Sequence, residues 1–141
     1  MQGFLSDDIK ITVDDAQASA GTEVDSTILD MAGYDGVLFI AKIGTAAANT
    51  YIKGQEDTDS GMATVQDLAG SKTSSAGAGP KTLVLDVQVP AKRYVRVAVI
   101  RGTNTTVDAI VAIQYKARVR PVAQAAAVAL TQMNAPAEGA A

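Results

Sequence analysis

An alternation of apolar and polar residues with a period of two runs through much of this sequence, and it restricts the possible folds more than any other feature. The clearest example is residues 82–89, where one face of an extended chain would carry Leu83, Leu85, Val87 and Val89. Successive side chains of a strand point to opposite faces, so this spacing predicts a strand with one buried face. Ile9, Ile11 and Val13 alternate with polar residues and predict a second such strand.

Other segments are apolar on both faces. Residues 37–43 contain a single polar side chain, Lys42, which is typical of a strand that is central in its sheet or covered on both sides. Residues 93–101 and 107–116 also carry apolar residues on both faces, and the five residues Gly102–Thr106 separate them. This arrangement predicts a hairpin. Within it, one face would carry Val107, Ala109, Val111, Ile113 and Tyr115.

The remaining segments are shorter and more polar. We expect a weak strand at 23–29 and a short strand at 51–54, with loops at 14–21 and 71–79 and an acidic turn at 55–60. In total, about eight short strands separated by turn signals predict an all-β fold. We therefore expect an antiparallel β-sandwich, and the number of strands favours a jelly roll.

The composition changes at Pro121. Residues 121–141 include nine alanines, and apolar residues recur there at helical spacing at Val122, Ala126, Leu130 and Met133. An isolated helix of about 12 residues is only marginally stable in water. We therefore predict one sandwich domain over residues 1–120 and a C-terminal arm over residues 121–141, which is extended or short-helical. Such an arm lies on a neighbouring molecule or packs on its own domain.

The missing residue types exclude several kinds of chemistry. The 141 residues include no Cys, no His and no Trp. Disulfides, thiolate catalysis, Cys/His zinc sites and mechanisms that use a histidine base are therefore excluded. Charged residues make up 19 % of the chain, below the usual ~25 %, so we expect another molecule to cover part of the surface. We expect a structural or binding role and no enzyme, since an enzyme would depend on Asp, Glu, Lys, Arg or Tyr alone.

Three motifs resemble chemical sites but are better explained as surface structure. Gly77–Thr82 has the glycines and the lysine of a phosphate-binding loop, but Pro80 interrupts it and a strand follows instead of a helix. The acidic group Asp57–Asp59 lacks the spacing of a calcium-binding loop. The adjacent carboxylates Asp7–Asp8 would point to opposite faces of a strand. We therefore expect no cofactor and no metal ion.

Charge is distributed unevenly along the chain. Residues 1–80 contain 12 acidic and 4 basic residues, a net charge of −8, whereas residues 81–141 contain 3 acidic and 8 basic residues, a net charge of +5. This asymmetry can set an acidic surface against a basic one, within one molecule or between copies. Alternatively, the two parts are interleaved in the fold and their charges cancel.

Basic residues are concentrated near the end of the predicted domain. On an extended chain, Lys116, Arg118 and Arg120 would line one face. Nucleic acid is a poor partner for them, since the net charge is −3 and only Tyr94 and Tyr115 lie near enough in sequence to stack on bases. We expect a protein partner with acidic patches, or a solvated face. We predict no membrane span and no signal peptide, because no long apolar run and no basic start are present.

Several stretches in the second half of the chain resemble a known family. They are Pro90–Val97, Arg101–Thr103, Ala112–Tyr115 and Arg118–Val122, and a turn at Asp67–Ser71 fits the same pattern. Residues 35–122 are similar to the jelly-roll capsid cement, or decoration, proteins of tailed phages. The resemblance implies a protein that is made in the host cytoplasm and sits on the outer surface of the virion. It further implies the major capsid protein as partner, a homo-oligomer with a dimer favoured, no catalysis and no cofactor.

Together, the residues and the resemblance predict a non-enzymatic virion protein that binds the outside of a phage capsid and bridges capsomers. The alternative is a tail-associated β-sandwich module that binds a carbohydrate or a receptor, although such sites usually present aromatic platforms that are scarce here. The residues that we expect to contact the partner are Lys116, Arg118, Arg120, Pro121, Val122, Leu130 and Met133.

Overall fold

A computed structural model describes residues 3–134 and 138–139 of the chain. Apart from one 3₁₀ turn at Leu5–Asp7, its regular elements are all strands. In chain order these are β1 (Lys10–Asp14), β2 (Gln17–Ala20), β3 (Val24–Asp25), β4 (Leu29–Asp30), β5 (Gly36–Ala46), β6 (Tyr51–Asp57), β7 (Gln66–Asp67), β8 (Thr73–Ser74), β9 (Gly79–Gln88), β10 (Tyr94–Ile100) and β11 (Thr105–Tyr115). The prediction of an all-β fold is confirmed.

The strands form two antiparallel sheets that pack against each other as a β-sandwich. The first sheet has the order β1–β11–β5–β9, and β2 continues the line of β1 along β11. The second sheet has the order β3–β10–β6–β7, with β4 beside β10 and β8 beside β6. The sandwich fold predicted from the sequence is therefore confirmed.

The pairing of the strands has a simple symmetry along the chain. Six of the short strands lie end to end in pairs: β1 with β2, β3 with β4, and β7 with β8. When each such pair is counted as one strand, the chain has eight. The first then pairs with the eighth, the second with the seventh, the third with the sixth and the fourth with the fifth. The chain is thus one long antiparallel ribbon, which is rolled up where β5 also joins β11 and β6 also joins β10.

The core lies between the sheets and is built almost entirely from aliphatic side chains. Alternate residues of β5 and β10 are fully buried: Val37, Phe39, Ala41, Ile43, Val95, Val97 and Val99. Each buried side chain of this size stabilises a fold by about 1.5–3 kcal/mol. The sheets approach closely at Gly54 of β6, where an added Cβ would lie 2.9 Å from the Leu68 side chain and 3.2 Å from that of Leu85.

The predicted hairpin between residues 93–101 and 107–116 is wrong. Both strands exist, but β10 belongs to the second sheet and β11 to the first, so the connection between them crosses from one sheet to the other. Arg101 is buried at this corner, where its guanidinium donates hydrogen bonds to the carbonyl oxygens of Ala18 (2.7 Å), Thr22 (2.6 Å) and Thr105 (3.1 Å). The corner therefore contains a turn at 103–104 and is also held by a buried charged side chain.

Three segments predicted as loops or turns also contain strand residues. The loop expected at 71–79 includes β8 and the first residue of β9. The loop expected at 14–21 includes β2, which pairs with the first half of β11. The acidic turn expected at 55–60 begins later, because Gln55, Glu56 and Asp57 belong to β6 and are buried. The described part of the arm, up to Asn134, contains no helix, and its only turn lies at 126–127. The rest of the predicted arm is described only at residues 138–139.

The buried carboxylate of Asp57 organises the loop that follows β6. It accepts hydrogen bonds from the backbone N–H groups of Asp59 (3.1 Å) and Thr64 (2.7 Å) and from the Thr64 hydroxyl (2.9 Å). Burial acts to raise the pKa of Asp57, but these hydrogen bonds to the charged form outweigh it, so the pKa is lowered from its ordinary value of 3.8. The acidic group is thus a structural support for the loop.

We expect the Asp57→Asn variant to lower the urea midpoint of unfolding at neutral pH, because the amide presents a donor where the loop also presents donors. Since the pKa of Asp57 is lowered by folding, its stabilising contribution is complete above the ordinary value of 3.8 and is lost as the pH falls through the lowered value. The difference between wild type and variant should therefore shrink in acid. Urea unfolding at several pH values measures it, with exposed Asp15→Asn as the control. A difference that stays constant down to the acid limit would contradict this role.

Candidate binding surface

The outer face of the first sheet carries a continuous apolar surface. Residues directly opposite each other on antiparallel strands share a face. The strand registers therefore place two rows of side chains there, Ile11–Ile113–Leu38 and Val13–Val111–Ile40–Val84. We call these seven residues the outer apolar face. It arises because β5 and β11 are apolar on both faces, as the sequence pattern predicts.

The outer apolar face is accessible to solvent. Val13 and Val84, at its two sides, are 53 % and 47 % exposed, and the five residues between them are partly exposed. Charged residues flank it: Lys42 follows Ile40 along β5, and Asp86 lies opposite Leu38. With strands about 4.8 Å apart and two rows of side chains, the surface measures roughly 300 Å². Patches of this size on monomeric proteins are often functional.

Tyr115 closes one end of the outer apolar face. Its side chain lies over Gly36 of β5, where an added Cβ would overlap the phenol ring, and its hydroxyl donates a 2.7 Å hydrogen bond to Asp86 of β9. Burial and the hydrogen bond to the Asp86 carboxylate raise the pKa of Tyr115 to about 12. Gly36, Tyr115 and Asp86 thus tie three neighbouring strands together, an arrangement that the sequence pattern did not indicate.

The outer face of the second sheet differs from it in being strongly polar. Arg96 of β10 pairs with Asp25 of β3 at 2.9 Å and donates a 2.8 Å hydrogen bond to Gln55 of β6. Lys53 pairs with Asp67 at 2.8 Å on the same face. Charged and hydrogen-bonded groups of this kind are compatible with water. Of the two outer faces, that of the first sheet is therefore the one that exposes a continuous apolar surface to water.

Part of the charge asymmetry of the sequence is neutralised by ion pairs within the molecule. Four ion pairs join an acidic residue from the first half of the chain to an arginine from the second half: Asp30–Arg93, Asp25–Arg96, Asp35–Arg118 and Asp8–Arg120. The reason is the ribbon topology, which places each early strand beside a late one. In the Asp30–Arg93 pair, two hydrogen bonds of 2.8 Å from Arg93 lower the pKa of Asp30 to about 2.

The residues predicted from the sequence to contact a partner do not form one extended face. Lys116 has a left-handed backbone conformation (φ 53°), so the chain bends directly after β11. Arg118 and Arg120 are exposed but point towards Asp35 and Asp8 of their own domain. Pro121, Leu130 and Met133 are exposed, whereas Val122 is partly buried and donates its N–H to the carbonyl of Asp7 at 3.0 Å. Whether any of these seven residues contacts a partner stays a prediction.

The described part of the C-terminal segment lies along the N-terminal residues of the same chain. The side-chain amide of Gln124 accepts a hydrogen bond from the N–H of Ile11 (3.1 Å) and donates one to the carbonyl of Ile9 (2.7 Å). The side-chain amide thereby forms the two hydrogen bonds with β1 that a peptide group of a neighbouring antiparallel strand would form. Gln132 adds hydrogen bonds of 2.8 Å to Ser6 and Asp7. In this structure the segment therefore packs on its own domain.

Other kinds of site find no support in the part of the chain that the structure describes. There, no group of three or more acidic side chains is close enough to hold a metal ion. Within the same residues, no helix has the length and apolarity needed to cross a membrane.

Comparison with known proteins does not assign the chain to a family. No protein-family model matches the sequence, and the curated proteins contain no match to it.

We expect the Gly36→Ala variant to displace the Tyr115 ring and break its hydrogen bond to Asp86, because the new methyl group would occupy the position of the ring. The pKa of Tyr115 should then fall from about 12 towards its ordinary value of 10.0. Spectrophotometric titration of the tyrosines measures this shift, and Tyr115→Phe identifies which transition belongs to Tyr115. An unchanged titration curve would show that the ring does not depend on Gly36.

We expect the Gln124→Glu variant to loosen the edge of β1, because a carboxylate cannot donate to the Ile9 carbonyl and is repelled by its oxygen, so the side chain moves away and the Ile11 N–H loses its acceptor. Loss of a hydrogen bond of this kind costs about 1 kcal/mol, so amide exchange at Ile11 should accelerate roughly fivefold. Hydrogen-exchange NMR measures this rate, with Gln17→Glu on exposed β2 as the matched control. Equal exchange in both variants would mean that Gln124 does not protect this edge.

Proposed function

We propose that this chain is a non-enzymatic structural protein of a virion, a cement protein that binds the outside of a phage capsid and bridges capsomers. The observation that carries the proposal is the outer apolar face, an uncharged surface that no other described part of the chain covers. The sequence resemblance to phage cement proteins indicates the kind of surface that would cover it, namely that of the major capsid protein.

The proposed fold type is a jelly roll. A jelly roll consists of eight strands in two packed sheets, and rolling up one antiparallel ribbon produces it. The pairing of the first strand with the eighth, the second with the seventh, the third with the sixth and the fourth with the fifth supports this assignment. The resemblance stated from the sequence implies the same fold.

The physical requirement of such a protein is resistance to forces that separate neighbouring capsid subunits. A flat apolar face that excludes water supplies binding energy in proportion to the area it covers. At roughly 300 Å², the outer apolar face alone is smaller than a stable interface, which needs about 800 Å² on each partner. Contacts with several subunits at once would raise the effective concentration of each contact and compensate for this small area.

The C-terminal segment and the basic residues before it would supply the additional contacts. Leu130 and Met133 are 49 % and 62 % exposed, so their burial on a partner would be favourable. Arg118 and Arg120 are mostly exposed within their ion pairs. The Asp35–Arg118 pair is exposed, and exposed pairs contribute only about 0–1 kcal/mol, so a carboxylate of the capsid protein could replace Asp35 at little cost. Replacing Asp8 would cost more, because its Oδ1 atom is buried beside Arg120.

The proposal is tested on purified particles of the phage that encodes the chain. Quantitative mass spectrometry should find the protein in a fixed, simple ratio to the major capsid protein. The Ile113→Glu variant should lose at least roughly tenfold in particle occupancy, because it places a charge in the middle of the outer apolar face. Ile100→Glu is the matched control, since Ile100 is a partly exposed isoleucine on the outer face of the second sheet.

The outcomes separate the two functions considered. A few copies per particle would point to the tail and favour the carbohydrate- or receptor-binding alternative. Absence from particles would contradict a virion role. Equal loss of binding by Ile113→Glu and Ile100→Glu, with both variants folded by circular dichroism, would show that the outer apolar face is not the docking surface.

A further inference from the structure

The four sheet edges of the sandwich are not equally protected. An exposed edge strand presents unpaired backbone groups, and proteins usually shorten or cover such strands. Both edges of the second sheet consist of strands of only two residues, β3 and β4 on one side and β7 and β8 on the other. In the first sheet, the Gln124 side chain covers the edge of β1. Three of the four edges therefore carry a protective feature.

The fourth edge, that of β9, is long and open. β9 has ten residues, and within the described chain it pairs with β5 alone. A cavity of about 300 Å³ lies between its second half, Leu85–Gln88, and the turn Leu68–Ser71. Open space therefore separates this half of the edge from the turn, and the described residues of the turn form no backbone hydrogen bond with β9. Pro80 stands at the start of the strand, so its missing N–H does not prevent pairing along the rest.

We propose that the open edge of β9 pairs in antiparallel fashion with β9 of a second copy of this chain, with Val84 on the two-fold axis. A two-fold axis perpendicular to the sheet keeps the outer faces of both copies on the same side. The alternation of side chains then matches across the pair only if one residue lies opposite its own copy at the axis. Two centres pair nine residues of β9, namely Leu83 and Val84. We place the axis at Val84 because only this centre sets the exposed Val84 side chains of the two copies opposite each other. The two sheets then form one continuous sheet of eight strands in width.

The resulting register is chemically self-complementary. On the inner side, Leu83 lies opposite Leu85 of the second copy, and Lys81 lies opposite its Val87. On the outer side, Thr82 lies opposite Asp86, where its hydroxyl can donate to the carboxylate. Like charges directly opposite each other destabilise strand pairs, and this register contains none between Pro80 and Gln88.

The same register also favours a second copy over an unrelated strand. Val84 ends the row Val13–Val111–Ile40–Val84 and is 47 % exposed. Pairing at the axis places two Val84 side chains side by side, so the rows of both copies become one uninterrupted apolar row. The outer apolar face doubles to roughly 600 Å². The argument for this pairing uses only the edge and the register of β9, so it does not depend on the proposed virion function.

The test is a disulfide at the axis. Because the wild-type chain has no cysteine, the Val84→Cys variant carries a single thiol. Directly opposite residues on antiparallel strands have Cβ atoms about 4.5–5.5 Å apart, close to the geometry of a disulfide. We expect mild oxidation to convert Val84→Cys to a covalent dimer. Thr82→Cys is the matched control on the same strand and face, because the register separates the two substituted positions beyond the reach of a disulfide.

A second measurement uses the wild-type chain in solution. Sedimentation velocity should detect a dimer, and Val84→Lys should raise its dissociation constant at least roughly tenfold, since it opposes two charges on the axis. Circular dichroism checks that this variant is folded. A wild-type chain that stays monomeric, or crosslinking of Thr82→Cys as efficient as that of Val84→Cys, would overturn the pairing. A monomer that nevertheless binds particles through β9 would assign this edge to a capsid strand instead.

Discussion

The antiparallel pairing of the first half of the chain with the second half is the constraint on which the rest of the structure depends. β11 lies between β1 and β5, so the last strand is hydrogen-bonded to the first and to the middle of the chain. This arrangement brings acidic early residues beside late arginines, as in Asp25–Arg96 and Asp8–Arg120. The ribbon topology therefore neutralises part of the charge asymmetry of the sequence within one molecule.

Local patterns in the sequence predict where the strands lie, but they do not predict which strands pair. Residues 82–88 are a strand as their alternation predicts, and residues 37–43 are a strand as their continuous apolar run predicts, because both patterns depend only on neighbouring residues. The hairpin predicted around Gly102–Thr106 fails for the opposite reason. A short glycine-containing connection suits a hairpin and a crossing between sheets equally well, and the choice depends on the distant contacts of Arg101 with Ala18 and Thr22.

The candidate surface could be predicted in part. The apolar residues on both faces of β5 and β11 indicate a covered outer face, but a shift in register between Val107 and Ala109 moves Val107 into the core, away from the face that was predicted for it. The predicted basic row assumes an extended chain, which the left-handed conformation of Lys116 interrupts. The role of Gln124 has no local signal, since it depends on the distant backbone of Ile9 and Ile11.

The unequal protection of the sheet edges indicates how stability and association are separated in this molecule. Core packing between the sheets, which includes Leu83 and Val87 of β9, and the Gln124 hydrogen bonds at β1 stabilise the single chain. The outer edge of β9 and the outer apolar face are not covered by any other described part of the chain. Both unprotected features meet at Val84, which lies on the open edge and also ends an apolar row. Because Val84 lies both on the open edge and at the end of the apolar row, a strand added at this edge can extend the sheet and keep its outer face apolar. Association at the edge would therefore enlarge the area available to the face, which is too small by itself for a stable interface.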